Sequence, residues 1–261
     1  MSPGEPDSAA ALAFEDVSVV RGGKLIWSEG TFAVPAGGIV AIIGSNGSGK
    51  TSLLNVVLGL IPAASGHVRV LGQPAGEVNA SIGYVPQNYA SASGEAIRVC
   101  DAIMLGINRT RWGFSRPSHD DRARVVEILD AVGAGPFARR RLSELSGGQR
   151  QRVAIAEALV ARPKILILDE PLAALDLRNQ REIVELLDRL NKELGVTILV
   201  VAHDLNPLLS VLSSAIYLLD GHAHFDTLDG VVEETLLSHL YGTPIQVVRT
   251  PQGELYMRST R

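Results

Sequence analysis

Little in this sequence is scarce by accident. Among 261 residues there is one cysteine, Cys100, and only 5% are aromatic. A lone cysteine excludes an internal disulfide framework and fits a reducing compartment. Cys100 itself reads as a small buried apolar residue rather than a reactive thiol. No apolar run approaches the roughly 18–20 residues that span a bilayer. The formal net charge is -4, so no broad basic surface is implied and a nucleic-acid partner gains no support from charge. The run Arg139-Arg140-Arg141 reads as a solvated turn. Residues 1–12 lack a basic start followed by an apolar stretch. They read as a disordered leader rich in Pro, Gly, Ser and Ala, not as a secretory signal. What is present is ordinary: 46% hydrophobic and 20% charged residues, enough for one large domain or one domain with a subdomain.

The pattern along the chain is strands alternating with helices. Residues 13–34 read as short strands broken at Arg21-Gly22-Gly23 and Glu29-Gly30. Residues 39–43 are an apolar strand, and residues 52–60 a helix stopped at Ile61-Pro62. Two more strands are expected at 67–71 and 81–85. Helical pattern fills residues 99–140, with a polar break at 108–121 and a good amphipathic helix at 122–132. Residues 148–161 and 179–194 are helical, and 165–168 and 196–201 are buried strands. The tail mixes short strands with a helix near 231–240. Buried strands alternating with helices imply an α/β fold with a mostly parallel sheet.

Three segments carry chemistry. Gly44-Ser45-Asn46-Gly47-Ser48-Gly49-Lys50-Thr51 matches G-x-x-x-x-G-K-[ST], between a strand and a helix that opens at Ser52. The glycines let backbone N–H groups wrap phosphates, and the helix start adds favourable potential for an anion. Lys50 is expected to reach the β- and γ-phosphates of ATP, and the Thr51 hydroxyl to ligate Mg²⁺. Residues 165–170 form an apolar strand that ends in Asp169 and Glu170. Two acids at the carboxyl end of a buried strand suit a metal ligand, Asp169, and a group that polarises the attacking water, Glu170. An isolated Asp-Glu pair would fit a helix N-cap as well. Leu145-Ser146-Gly147-Gly148-Gln149 precedes a helix and offers a second anion-binding start.

LSGGQ followed by RQRVAIAEAL resembles the signature of the ATP-binding cassette family, and the other family motifs follow in order. Gln87, in Tyr84-Val85-Pro86-Gln87, resembles the Q-loop glutamine. Asp176, in Ala174-Leu175-Asp176, resembles the D-loop, and His203 the switch histidine. The resemblance covers residues 13–225. It implies a P-loop NTPase (RecA-like) sheet with an antiparallel β subdomain and an inserted helical subdomain. The expected division is a core of residues 13–88 and 154–225, a helical subdomain of 89–153 and a C-terminal extension of 226–261.

It further implies ATP hydrolysis, with Gln87 and Asp169 near Mg²⁺ and His203 near the γ-phosphate. It implies a homodimer in which Ser146, Gly147, Gly148 and Gln149 of one subunit close on the nucleotide of the other, with Asp176 nearby. A single chain has already committed its phosphate loop to the triphosphate, so a two-fold dimer is the natural source of the second γ-phosphate. A separate membrane permease is the implied partner, gripped near residues 88–108. A periplasmic or extracellular substrate-binding protein would take part indirectly. The location implied is the cytoplasmic face of the cell membrane, peripherally.

Two positions depart from the family pattern. Where an aromatic residue usually stacks on adenine, this chain has Arg21, whose guanidinium plane gives a different contact. Glu157 stands where the family usually shows Arg, and reads as a surface charge swap. His222, His224 and His239 fit the alternation of a hairpin and a following helix better than a metal site. Finer resemblance, in Met104-Leu105-Gly106, residues 112–118, residues 203–207 and residues 240–244, leans to the zinc or manganese importer branch. Leu175-Asp176-Leu177-Arg178 also resembles the iron-siderophore and cobalamin branch. A soluble cassette ATPase serving cofactor assembly is the other reading. A chromosome-maintenance ATPase is not, because residues 87–145 are too few for its coiled coil and show no sustained heptads.

Overall fold

The computed structural model describes residues 10–87, 89, 96–108, 117–250 and 255–260. They form two compact units, residues 1–79 with 197–261 and residues 80–196.

The first unit begins with two long strands, β1 (Ala10–Arg21) and β2 (Lys24–Pro35). They pair antiparallel across Gly22-Gly23, with Arg21 opposite Lys24. Both turn glycines have positive φ, as a two-residue turn that matches strand twist requires. Where short broken strands are expected, the chain instead continues through bulges. Asp16 and Glu29 take φ of 50° and 58°, and the register shifts between Phe14 and Val17. Residues 10–12, expected in the leader, are the start of β1, and Ala11 and Leu12 are fully buried. Their apolar side chains have a core to enter, which decides against disorder there; residues 1–9 lie outside the described residues.

Phe14 stacks on Phe32 at 4.6 Å, and Trp27 packs beside Phe14 at 6.4 Å. Next come β3 (Ile39–Gly44), α1 (Lys50–Val57), β4 (Ser65–Val70) and β5 (Gln73–Pro74). β4 pairs antiparallel with β1, and β5 with β4.

The second unit holds β6 (Ile82–Val85), α2 (Val99–Asn108), α3 (His119–Ala131), α4 (Gly147–Leu159), β7 (Ile165–Asp169) and α5 (Leu177–Leu194). β6 and β7 are parallel, with Ile82 opposite Ile165 and Val85 opposite Leu168. A parallel pair is reached only through a crossover, here the intervening helices. α3 starts in a capping box: Ser118 Oγ accepts from Asp121 N at 3.1 Å, and the Asp121 carboxylate accepts from Ser118 N at 2.9 Å. α2 lies close on α4, because a Cβ at Gly106 would meet the Glu157 carbonyl oxygen at 2.9 Å. Arg152, in α4, donates to the Val132 carbonyl at 2.9 Å and to Glu182 of α5 at 3.1 Å, so one guanidinium joins three helices. Cys100 is half-buried rather than buried; burial and then Asp101 push its thiol up, which keeps it protonated.

The chain then returns to the first unit with β8 (Thr197–Val201), β9 (Ser214–Leu219), β10 (His222–Thr227), α6 (Leu228–Val231), α7 (Glu234–Tyr241), β11 (Ile245–Arg249) and β12 (Leu255–Ser259). β3 lies parallel between β8 and β9, with Ile39 opposite Ile198 and Val40 opposite Ser214. Both faces and both edges of β3 are covered, which is why Ile39 to Ile43 are an unbroken apolar run, at most 2% exposed. The single helix expected near 231–240 is two, because Val232, at φ -82° and ψ 50°, leaves the helical region between them. β11 and β12 form a separate antiparallel hairpin. Among the described residues, no helix is long and apolar enough to cross a membrane.

Candidate functional site

The first unit carries the glycine-rich loop at the carboxyl end of β3. Gly44, Gly47 and Gly49 have φ of 156°, 82° and 106°, which turn the loop tightly from strand to helix. A Cβ at Gly49 would strike Ile26 and Trp27 of β2, and one at Gly44 would strike the Ser48 hydroxyl, so both positions also need the missing side chain. α1 opens on Gly49 with no side-chain cap. A glycine start of this kind favours an anion. Lys50 is 8% exposed. Its Nζ donates to the carbonyls of Gly44 at 2.7 Å and Ser45 at 3.0 Å, folding the ammonium over the loop it belongs to. Thr51 is exposed and Ser52 is buried.

The same unit holds His203 and Arg21. β8 ends at Val201, and His203 follows in an exposed bend; the Ala202 N–H still reaches the β3 carbonyl of Ile42 at 3.3 Å. Arg21 ends β1, exposed, beside the Gly22-Gly23 turn. On β10, His222 and His224 have rings 6.2 Å apart; His224 stacks on Tyr217 at 5.0 Å, and His222 approaches Glu29 at 3.3 Å. Burial first, and His222 second, hold the His224 imidazole below its ordinary pKa. Among the described residues there is no group of three or more His, Cys, Asp or Glu arranged to hold a metal ion.

The second unit carries the carboxylates. β7 delivers Asp169 and Glu170 at its carboxyl end. Glu170 sits at φ 51°, a left-handed conformation that costs a non-glycine residue about 1 kcal/mol or more. Its Oε2 accepts a 2.6 Å hydrogen bond from Gln87 Nε2. Asp169 accepts from the Tyr84 hydroxyl at 3.4 Å. Burial, and then the Asp169 charge, push the Tyr84 phenol up to about 12, so it stays a donor.

The signature segment is in this unit too. Ser146 caps α4: its Oγ accepts from Gln149 N at 3.3 Å, and Gln149 Oε1 accepts from Ser146 N at 3.1 Å. Asp176 caps α5 by accepting from the Asn179 backbone at 2.8 Å and side chain at 2.9 Å. The Asn179 amide lies where a Cβ of Gly148 would be, so Gly148 is glycine for space. Gly147 is exposed.

Tyr84 and Asn179 are site neighbours that sequence patterning does not single out, although Tyr84 lies three residues before Gln87. Glu157 is more than a surface charge swap. It is half-buried on α4 and accepts a 2.6 Å hydrogen bond from the Tyr89 hydroxyl, two residues beyond Gln87. An arginine could not accept that bond. Of the segment expected to grip a partner, residues 88 and 90–95 lie outside the described residues.

A family model described as ABC transporter matches residues 28–173. The zinc transport system ATP-binding protein TroB of Treponema pallidum is 39% identical over 198 residues, 76% of this chain and 74% of that protein. The manganese transport system ATP-binding protein MntB of Bacillus subtilis is 37% identical over 198 residues, covering 74% and 77%. An ABC transporter solved in an inward-facing conformation has a chain that superposes with a TM-score of 0.83 at 27% identity, over 96% of this chain and 97% of that one. Import proteins named for iron(3+)-hydroxamate, phosphonates and methionine match as well, at 36%, 33% and 31% identity. A dimeric ATP-binding cassette bound to ADP and phosphate is 29% identical at a TM-score of 0.69. The P-loop, the carboxylate pair and the signature thus stand on the fold that this family uses, and the chain belongs to the ABC transporter family as an ATPase whose hydrolysis is coupled to transport.

Proposed function

We propose that this chain powers import of a divalent metal ion, zinc or manganese, through a separate membrane permease. The observation that carries the substrate is the identity of 39% and 37% to zinc and manganese transport ATPases over about three quarters of the chain. The ATPase itself would not touch the metal cargo. Iron-chelate import is the second reading, supported by 36% identity to an iron(3+)-hydroxamate import ATPase over 201 residues.

In the proposed cycle, Lys50 and the loop amides hold the triphosphate and neutralise its charge. The oxygen donors fit magnesium, which is a hard ion: the Thr51 hydroxyl, the Asp169 carboxylate and the Gln87 side-chain oxygen, which donation from Nε2 leaves available. Held by these residues, the ion would supply positive charge to offset that of the triphosphate. Glu170 polarises the attacking water, and His203 meets the γ-phosphate. The bond from Gln87 to Glu170 holds the carboxylate in one rotamer before nucleotide arrives. Ser146, Gly147 and Gly148 of one subunit close on the nucleotide of its twin, with Asp176 nearby. ATP binding favours the closed dimer and hydrolysis releases it, a two-state element biased by the γ-phosphate. Arg21 stacks on the adenine more weakly than an aromatic ring. Arg21→Tyr is expected to tighten ATP and sharpen its preference over GTP; unchanged affinity and preference would remove Arg21 from the site.

The deciding experiment is purification from membranes, identification of the co-purifying permease, and ATPase assay of the reconstituted complex with zinc, manganese or a ferric hydroxamate. Stimulation by zinc or manganese supports the proposal, and stimulation by the ferric chelate alone supports the second reading. Absence of any membrane partner sinks both and leaves the ATPase intact.

A further inference from the structure

The loop that carries His203 is fastened at both ends. At its start, the Ala202 N–H reaches the Ile42 carbonyl of β3 at 3.3 Å. At its end, Asn206 is tied to the C-terminal hairpin. Asn206 Nδ2 donates to the Met257 carbonyl at 3.0 Å, and Asn206 Oδ1 accepts from the Met257 N–H at 2.8 Å. This two-way pairing is what a neighbouring strand would offer β12, so one side-chain amide serves as a strand one residue long.

The opposite edge of the hairpin is held in the same manner. Val247 stands directly across from Met257, and its N–H also points out of the hairpin, to Glu234 Oε1 of α7 at 2.9 Å. A two-stranded hairpin is marginal in water alone. Here its two outer edges are fixed by Glu234 on one side and Asn206 on the other. Inside the loop, the Asn206 N–H donates to Asp204 Oδ1 at 2.9 Å, and Asp204 is the residue after His203. Tyr241, which ends α7, feels the same carboxylate: burial, and then Asp204, push its phenol up to about 12.

We propose that Asn206 is a positioning residue for His203, and that it works by tying the histidine loop to the main chain of Met257. The tail beyond β10 then helps set where the histidine stands. This rests on the reading of His203 as the group that meets the γ-phosphate. The chemistry also defines a means of control: anything that lifts β12 from Asn206 removes one of the two anchors of the loop's far end, the other being the fully buried Leu205, and slows hydrolysis without weakening nucleotide binding.

The test is steady-state MgATP turnover by the full-length chain. Asn206→Ala removes both bonds from the loop side. Met257→Pro removes the donor from the tail side, at a position whose N–H faces away from the partner strand and so tolerates proline. Each is expected to lower kcat about fivefold or more with KM for MgATP within about twofold, and the double variant to be no slower than the slower single. Arg258→Ala breaks the cross-hairpin bonds of Arg258 to Gln246, at 2.9 and 2.6 Å, without touching Asn206, and is expected to leave kcat unchanged. An unchanged kcat in Asn206→Ala, a KM that rises in step with the loss, losses that multiply in the double variant, or an equal loss in Arg258→Ala each overturns the proposal. Asn206→Ala alone decides if Met257→Pro does not fold. His203→Ala separates the levels: full turnover in that variant overturns the role of His203 and this inference with it, whereas lost turnover there with normal Asn206→Ala overturns this inference alone.

Discussion

α1 and α4 both begin where phosphate chemistry is expected, and they begin in opposite ways. α1 opens on Gly49 at φ 106°, with no side chain to accept from its first amides. α4 opens on Ser146, in a capping box with Gln149 that satisfies donors in both directions. A start without a side-chain cap favours a bound anion in its place. The second already bonds two of its donors, the Ser146 and Gln149 N–H groups, so part of its shape is set before a nucleotide arrives. This suits a loop that holds its own nucleotide and a signature that meets one held by a second subunit.

Five substitutions break or sharpen that contrast. The largest effect is expected from Glu170→Gln, which should keep ATP binding and lose about 100- to 10,000-fold in turnover. It is also the background in which occupancy of the two helix starts is read, by gel filtration of an ATP-trapped dimer. Next, Lys50→Ala should weaken ATP binding to the isolated chain by about 30- to 1,000-fold, measured by calorimetry. Ser146→Ala should move that affinity by no more than about twofold while abolishing the trapped dimer. Equal losses of affinity in the two variants would erase the distinction between the starts.

The glycines come third. Gly49→Ala and Gly148→Ala should each cost about 1–3 kcal/mol in denaturant unfolding. Their causes differ, so their rescues should too. Trimming Asn179 to Ser should recover most of the loss in Gly148→Ala, where only space is lacking. Trimming Trp27 should recover little in Gly49→Ala, where the positive φ remains. The smallest effect is the stability loss from Ser146→Ala, about 1 kcal/mol for a lost cap; no comparable cap exists on α1 to remove.

Local pattern made some of this legible and left the rest hidden. β3 and the glycine loop could be read because an apolar run, glycine spacing and a helix start are all consecutive in sequence. β7 and its two acids were visible for the same reason. The long continuous β2 was not, because the bulge at Glu29 mimics a strand break. The bonds of Gln87 to Glu170, Tyr89 to Glu157 and Asn206 to Met257 join residues 83, 68 and 51 positions apart. No periodicity in one sequence encodes such pairings. Glu157 is the clearest case: its bond from the Tyr89 hydroxyl cannot be read from the helix it sits on.

The interrupted course of the first unit has a consequence for how the chain is made. β3 is the middle strand of a parallel trio, yet its partners lie far downstream, with Ile39 opposite Ile198 and Val40 opposite Ser214. At a synthesis rate of about 5–20 residues per second, that apolar strand leaves the ribosome roughly 8–30 s before either neighbour exists. Residues 80–196 are continuous and can collapse as they emerge. The nucleotide loop, which depends on β3 for its shape, is therefore encoded early and completed late. A chain that stops short of β8 would carry two open edges on a strongly apolar strand, a template for aggregation that the finished protein conceals.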